Sequence, residues 1–225
     1  MLGAEPSYTK PGVFFFDVDN CLYSLSLGVY DLMCDRIFAF AKEIGIPEAE
    51  VVPLCRSYSK KYGMTVRGLI KFHNIDPMEY DQKVDGSLPL EEILSPNPAL
   101  RKMLQTLPMK KWAFTNAALP HAKRVLSILG IEDQFEGITY CDYSIPNFLA
   151  KPDIEQYKVA MKMANIQDPS LCYLVDDSEP NICTAKKLGW NTVHVTATPS
   201  KTSTVADHQI VEITELPRAL PELWH

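Results

Sequence analysis

The sequence predicts an α/β fold, a doubly wound parallel sheet with a small helical domain inserted after the first strand. Three observations carry this. The first is an apolar run, Val13-Phe14-Phe15-Phe16, closed by Asp17-Val18-Asp19-Asn20. A β-prone run bounded by acidic and turn-forming residues reads as a buried strand. The second is a matching run, Leu171-Cys172-Tyr173-Leu174-Val175, closed by Asp176-Asp177. The third is spacing. No strong strand pattern occurs between Cys21 and residue 110, and strand and helix patterns alternate after that. The gap is far too long for an ordinary strand-helix-strand crossover.

Taken in order, the first strand covers 13–16. Helical spacing follows over 26–44, where Leu27, Tyr30, Leu32-Met33, Ile37, Phe40-Ala41 and Ile44 recur until Gly45 and Pro47 end it. Further helical patterns cover 48–62 and 66–72, and a Pro-punctuated stretch covers 85–98. These form a helical cap domain at 25–95, leaving 1–24 and 96–225 as the core. In the core, a strand at 111–115 leads to a helix at 120–129, with Gly130 as its C-cap. A short strand at 137–141, a helix at 153–164, the acid-tipped strand at 171–175 and a helix at 180–188 with Gly189 follow. Strands at 191–195 and 209–213 complete the alternation, and the Ser/Thr-rich 196–204 reads as a loop.

The apolar fraction of 46% suits a globular protein with a sizeable core. A net charge of −6, with no basic run, argues against nucleic acid as the main partner. No apolar run approaches ~18 residues, so no membrane span is expected. Residues 1–11 lack an apolar h-region, so no secretory signal is expected. The six cysteines (Cys21, Cys34, Cys55, Cys141, Cys172, Cys183) form no CxxC pair. That argues against a zinc or disulfide framework and for a reducing compartment. The cytoplasm fits, and so does the nucleus.

Four features fall at strand ends or in the loops after them: Asp17-Val18-Asp19, Thr115-Asn116, Lys151-Pro152 and Asp176-Asp177. Each has a plainer reading. Thr115-Asn116 suits a turn or helix cap, a lysine before proline suits a solvated loop, and Asp176-Asp177 before Ser178 and Pro180 suits a helix start. Joint placement favours chemistry. In open parallel sheets, ligands bind outside the carboxyl ends of the strands. Crowded carboxylates there are costly unless a metal or a proton separates their charges. Two acidic strand ends therefore suggest one hard-cation site built from both.

The set resembles the haloacid dehalogenase (HAD) superfamily of aspartyl phosphotransferases. The motifs are Asp17-Val18-Asp19-Asn20-Cys21-Leu22-Tyr23, Phe114-Thr115-Asn116, Lys151-Pro152 and Val175-Asp176-Asp177-Ser178. Tyr62-Gly63-Met64-Thr65-Val66-Arg67-Gly68, Thr139-Tyr140-Cys141-Asp142-Tyr143 and Glu179-Pro180-Asn181-Ile182 narrow the resemblance to the fungal and plant pyrimidine 5′-nucleotidases. The resemblance implies a HAD-like Rossmannoid core with a helical cap. It further implies a Mg²⁺-dependent phosphomonoesterase that hydrolyses nucleoside 5′-monophosphates, pyrimidines preferred, through an aspartyl-phosphate.

On that resemblance, Asp17 is the nucleophile and Asp19 the general acid and base, with a pKa raised by its acidic neighbours. Asp17, Asp176 and Asp177, with the backbone carbonyl of Asp19, would hold Mg²⁺. Thr115, Asn116 and Lys151 would hold the phosphoryl oxygens. Cys21 stands where many relatives have Thr, and a thiol supports the loop only weakly. With no His near it in sequence, Cys21 does not read as a nucleophile. In the cap, Arg67 between Gly63 and Gly68 is either a substrate contact or a surface residue. Tyr23 either lines the pocket or packs beneath the cap, and His73 reads as structural. Other readings are a phosphatase for a sugar phosphate or lysophospholipid, and a non-catalytic binding protein on the same scaffold. No motif residue is lost, which weighs against the second. A dehalogenase is disfavoured by Asp19, an acid-base group that phosphate chemistry needs.

Overall fold

β1 (Val13–Phe16) is buried along its whole length, because both of its faces are covered. Phe14 and Phe16 join one hydrophobic cluster, while Val13 and Phe15 join another on the opposite side. Burying each phenylalanine is worth about 1.5–3 kcal/mol, so polar residues begin only at Asp17, where the strand leaves the core. The computed structural model describes residues 10–200 and 204–224. Residues 1–9 of the segment read for a secretory signal, and 201–203 of the expected 196–204 loop, lie outside the described residues.

After β1 a single 3-10 turn, Leu25–Leu27, leads to Gly28, whose φ of 78° breaks the helix expected to begin at 26. The insertion is then α1 (Val29–Glu43), α2 (Glu48–Tyr62), α3 (Thr65–His73), α4 (Pro77–Lys83) and α5 (Leu90–Ile93). α6 (Pro98–Thr106) precedes β2 (Lys110–Phe114). The sequence pattern left α4, α5 and α6 unassigned. Two of these begin with proline in the first turn behind a side-chain cap: Asp76 accepts from the Met78 N–H, and Asn97 from the Leu100 N–H. Those prolines start helices instead of interrupting them.

The core continues with α7 (Leu119–Ile128), β3 (Gly137–Thr139), α8 (Ile154–Met163), β4 (Cys172–Asp176) and α9 (Glu179–Lys187). β5 (Asn191–Val195), β6 (His208–Ile210) and α10 (Leu216–Ala219) follow. All strand pairings are parallel, in the order β3-β2-β1-β4-β5-β6. The chain winds outward from β1 through β2 to β3, then returns to the other side of β1 at β4. The crevice of such a sheet opens where the two windings part, at the carboxyl ends of β1 and β4. Phe16 pairs with Val175, so Asp17 and Asp176 leave the sheet side by side.

The inserted helices share a cluster with loops of the core. Phe40, Val51, Tyr58, Val66, Leu69 and Val84 pack with Ala118, Cys141, Tyr143, Phe148 and Ala150. Leu88, Leu90 and Leu94 instead join the cluster of Phe14 and Phe16. The end of the insertion therefore packs with the sheet. Among the described residues, no helix is long and apolar enough to cross a membrane.

Candidate active site

β1 and β4 deliver the acidic groups. The Asp17 N–H extends the ladder by donating to the Val175 carbonyl at 3.0 Å. Lys151, only 1% exposed, enters between the two strand ends. Its Nζ donates to Asp17 Oδ1 at 2.8 Å, Asp176 Oδ2 at 2.6 Å and the Phe114 carbonyl at 2.6 Å. Three N–H donors thus meet three acceptors. Burial alone would lower the pKa of Lys151, but Asp17 and Asp176 outweigh it and hold the ammonium charged. From the far side, Asn181 Nδ2 donates to both Asp176 oxygens, at 3.0 and 3.1 Å, and the Ser178 N–H donates at 2.8 Å.

Asp17, Asp176 and Asp177 each offer an oxygen, all within 4.8 Å of one another. Burial pushes Asp17 well above the ordinary carboxylate range. Lys151 pulls it back, and Asp176 and Asp177 push it further up. Burial and then Asp176 push Asp177 up to about 7. One lysine does not balance three such groups. The set consists of hard oxygen donors with excess negative charge, which fits Mg²⁺.

Asp19 stands apart from this cluster. Tyr23 Oη donates to Asp19 Oδ1 at 2.8 Å, and His121 Nε2, from the first turn of α7, donates to the same oxygen at 2.7 Å. The expectation that acidic neighbours raise Asp19 is corrected here. Burial does push its pKa up, but His121 and then Tyr23 outweigh burial and hold it below the ordinary range. His121, which burial alone would lower, is raised to about 9 by Asp19. The nearest partners of Asp19 are hydrogen-bond donors, and the carboxylates act on it only from farther away.

The remaining motif residues make hydrogen bonds within the strand-end loops. Thr115 Oγ1 accepts from the Ala117 N–H at 3.0 Å. The Asn116 amide brackets the Lys151 backbone, accepting from its N–H at 2.7 Å and donating to its carbonyl at 2.8 Å. Cys21 is buried with Sγ 3.6 Å from the Val175 carbonyl, and burial pushes its thiol well above the ordinary range. That keeps it protonated and inert. His73 accepts a structural role, with Nε2 3.0 Å from Tyr58 Oη.

Arg67 is not at the carboxylates. Its guanidinium donates to Asp153 Oδ2 and the Phe148 carbonyl, each at 2.6 Å, and to the Tyr62 carbonyl at 3.3 Å. It also lies over the Phe148 ring, 5.3 Å from the centroid. The flanking glycines mark close approach. A Cβ on Gly63 would meet Pro152 Cδ at 3.2 Å, and one on Gly68 would meet Tyr58 Cγ at 2.1 Å. What they approach is the loop carrying Lys151 and a neighbouring helix. His121 and Asp153 are not among the sequence candidates, and Asn181 stands there only within the motif Glu179-Pro180-Asn181-Ile182, with no role. His121 had one local signal, its place in the first turn of a helix that leaves a motif strand.

Residues 11–189 match the family described as haloacid dehalogenase-like hydrolase. The chain is 40% identical over 189 residues to Phosphate metabolism protein 8 of Saccharomyces cerevisiae, covering 79% of this chain and 59% of that protein. It therefore spans less than two thirds of that relative. Among solved structures, a HAD phosphatase from Thermococcus onnurineus superposes with a TM-score of 0.64 at 16% identity, covering 92% of this chain and 97% of that one. An L-2-haloacid dehalogenase from Xanthobacter autotrophicus superposes with a TM-score of 0.60 at 16% identity, covering 95% and 99%. These structural likenesses speak to the fold. With the family match covering most of its length, this chain belongs to the haloacid dehalogenase-like hydrolases.

Proposed function

We propose that this protein is a phosphomonoesterase that works through an aspartyl-phosphate on Asp17, and that its substrates are nucleoside 5′-monophosphates, pyrimidines preferred. One observation carries the chemistry: Lys151 joins Asp17 to Asp176 at the open end of the sheet, with Asp19 two residues on and held by its own donors. The fold alone does not decide, since a phosphatase and a dehalogenase share it. Asp19 favours the phosphatase, because a halide leaves without a proton and an alkoxide does not. The name of the yeast relative agrees with phosphate chemistry. The nucleotide preference rests on the sequence resemblance to pyrimidine 5′-nucleotidases.

In this reading Asp17 attacks phosphorus, and Asp19 gives a proton to the leaving oxygen. Asp19 then takes a proton from the water that hydrolyses the intermediate. The ionised Asp19 favoured by His121 suits that second step; for the first, it takes up its proton with the substrate. Lys151 is a fixed cation beside the nucleophile, able to stabilise charge on the phosphoryl oxygens. Asp17, Asp176 and Asp177 would hold Mg²⁺, which when bound supplies positive charge between the nucleophile and an anionic phosphate. The test is phosphate release from a panel of nucleoside monophosphates, sugar phosphates and lysophospholipids. Release from pyrimidine nucleotides above the others is expected, and loss of all release in excess EDTA. No release from any member would sink the reading.

Mg²⁺ should also raise the melting temperature, more at pH 8 than at pH 5. Asp177 is pushed up to about 7 in the metal-free fold, against about 3.9 in an unfolded chain. The penalty for ionising it in the fold is absent below about pH 4 and complete above about pH 7, so stability falls as pH rises between them. A cation has more repulsion to relieve at the higher pH. An equal or larger shift at pH 5 would contradict the site.

Arg67→Ala should lower kcat/KM about tenfold on a pyrimidine nucleotide and on para-nitrophenyl phosphate alike. The reason is that Arg67 ties α3 to the 148–153 loop that carries Lys151. A loss confined to the nucleotide would instead put Arg67 on the leaving group.

A further inference from the structure

Resting on the aspartyl-phosphate reading, we infer that His121, with Tyr23, is a positioning residue for the acid-base group: the two clamp Asp19 Oδ1 and dedicate Oδ2 to the substrate. The basis is geometric. His121 Nε2 and Tyr23 Oη approach the same oxygen, at 2.7 and 2.8 Å. Among the described residues, the two hydrogen bonds received by the Asp19 side chain thus both fall on Oδ1. The two donors come from different elements, Tyr23 from the loop after β1 and His121 from α7 after β2. Both residues are buried, at 5% and 4% exposure, so water does not compete for the carboxylate from their side.

Among the described residues, the His121 ring makes its hydrogen bond to Asp19 alone. Its Nδ1 is buried with no partner among the described residues. A buried histidine placed for stability satisfies its nitrogens on the scaffold, as buried polar groups nearly always do. This one is tethered to the acid-base residue instead. A carboxylate free to turn would present either oxygen in varying directions. Fixing it is worth a share of the barrier through orientation.

The step this serves is balanced as follows. A carboxylate oxygen of Asp17 bonds to phosphorus, the phosphorus–ester oxygen bond breaks, and the proton on Asp19 Oδ2 moves to that oxygen, releasing the alcohol. Water then bonds to phosphorus and gives a proton to Oδ2, and the phosphorus–Asp17 bond breaks, releasing phosphate. The need for the first proton depends on the leaving group. 4-Nitrophenolate leaves without one, phenolate leaves less readily, and the benzyl alkoxide needs it most.

The experiment measures kcat/KM for 4-nitrophenyl, phenyl and benzyl phosphate with saturating Mg²⁺. The enzymes are wild type, Asp19→Ala, His121→Ala, His121→Gln and Tyr23→Phe. His121→Ala should lose little on the nitrophenyl ester and on the order of tenfold more on the benzyl ester, a fraction of what general acid catalysis supplies. His121→Gln, whose side-chain N–H can still reach Oδ1, should recover part of that difference. Tyr23→Phe should shift the series in the same direction. Uniform losses across the three esters, or none, would overturn the inference, and if His121→Ala does not fold, His121→Gln and Tyr23→Phe decide it. Asp19→Ala separates the two levels. If it shows the leaving-group dependence and the His121 and Tyr23 variants do not, the inference alone fails. If Asp19→Ala shows none, Asp19 is not the acid and the reading beneath falls as well.

Discussion

Asp17→Asn should reduce turnover at least about a thousandfold on every phosphomonoester while leaving the protein folded. The amide keeps the size of the side chain and its oxygen can still accept from Lys151, so the packing at the end of β1 survives. It loses the anionic oxygen that, in the proposed mechanism, attacks phosphorus, and most of its value as a ligand for a hard cation. Stability should not suffer. Asp17 is a buried carboxylate beside Asp176 and Asp177, and removing one charge from that crowd relieves repulsion. The check is a melting curve in EDTA beside a phosphate-release assay. Turnover near the wild-type rate would remove Asp17 from the nucleophile's place, and a melting temperature clearly below wild type would contradict the repulsion among the three carboxylates.

The sheet was legible because its signals are local. Four apolar residues followed by two acids announce a strand and its end without any knowledge of partners. The same holds for Leu171 to Val175 with Asp176-Asp177, and the two pairs do meet across the β1–β4 register. Boundaries were less visible. Asn97-Pro98 falls within the Pro-punctuated 85–98 and Asp76-Pro77 between the assigned segments, whereas the side chains of Asp76 and Asn97 cap new helices. A cap depends on which N–H groups lie free, and the chain order alone does not say so.

The candidate site was legible where a residue type implies its task and illegible where the task depends on a distant partner. Lys151 lies 134 positions from Asp17, yet a lysine in a motif loop invites an anionic partner. Nothing local invites His121 to Asp19 across 102 positions, and that contact reverses the direction of the Asp19 pKa expected from its acidic neighbours. Arg67 and Asn116 show the same limit. Each carries donors suited to phosphate, and in the fold each is engaged by the backbone near Lys151. Both therefore help to hold the loop that carries Lys151.

That dependence makes Lys151→Met the substitution with the largest expected effect on the fold. The side chain is 1% exposed and its ammonium holds two buried carboxylates and the Phe114 carbonyl. Methionine fills most of the volume and leaves all three acceptors without their donor. Stripping one partner from a buried ion pair costs about 3–5 kcal/mol, which for a domain of this size is roughly 10 °C or more in melting temperature. Turnover should also fall by more than about a hundredfold, since the fixed cation beside Asp17, the proposed nucleophile, is gone. A second substitution separates charge from packing. If the loss comes from orphaned carboxylates, adding Asp17→Asn to Lys151→Met removes one of them and should recover stability. The gain in melting temperature from Asp17→Asn should then be larger in the Lys151→Met background than in wild type, a non-additivity expected of groups in direct contact. If the two changes simply add, or the double variant melts lower still, then Lys151 stabilises the crevice through its packing and the electrostatic account of this site is wrong.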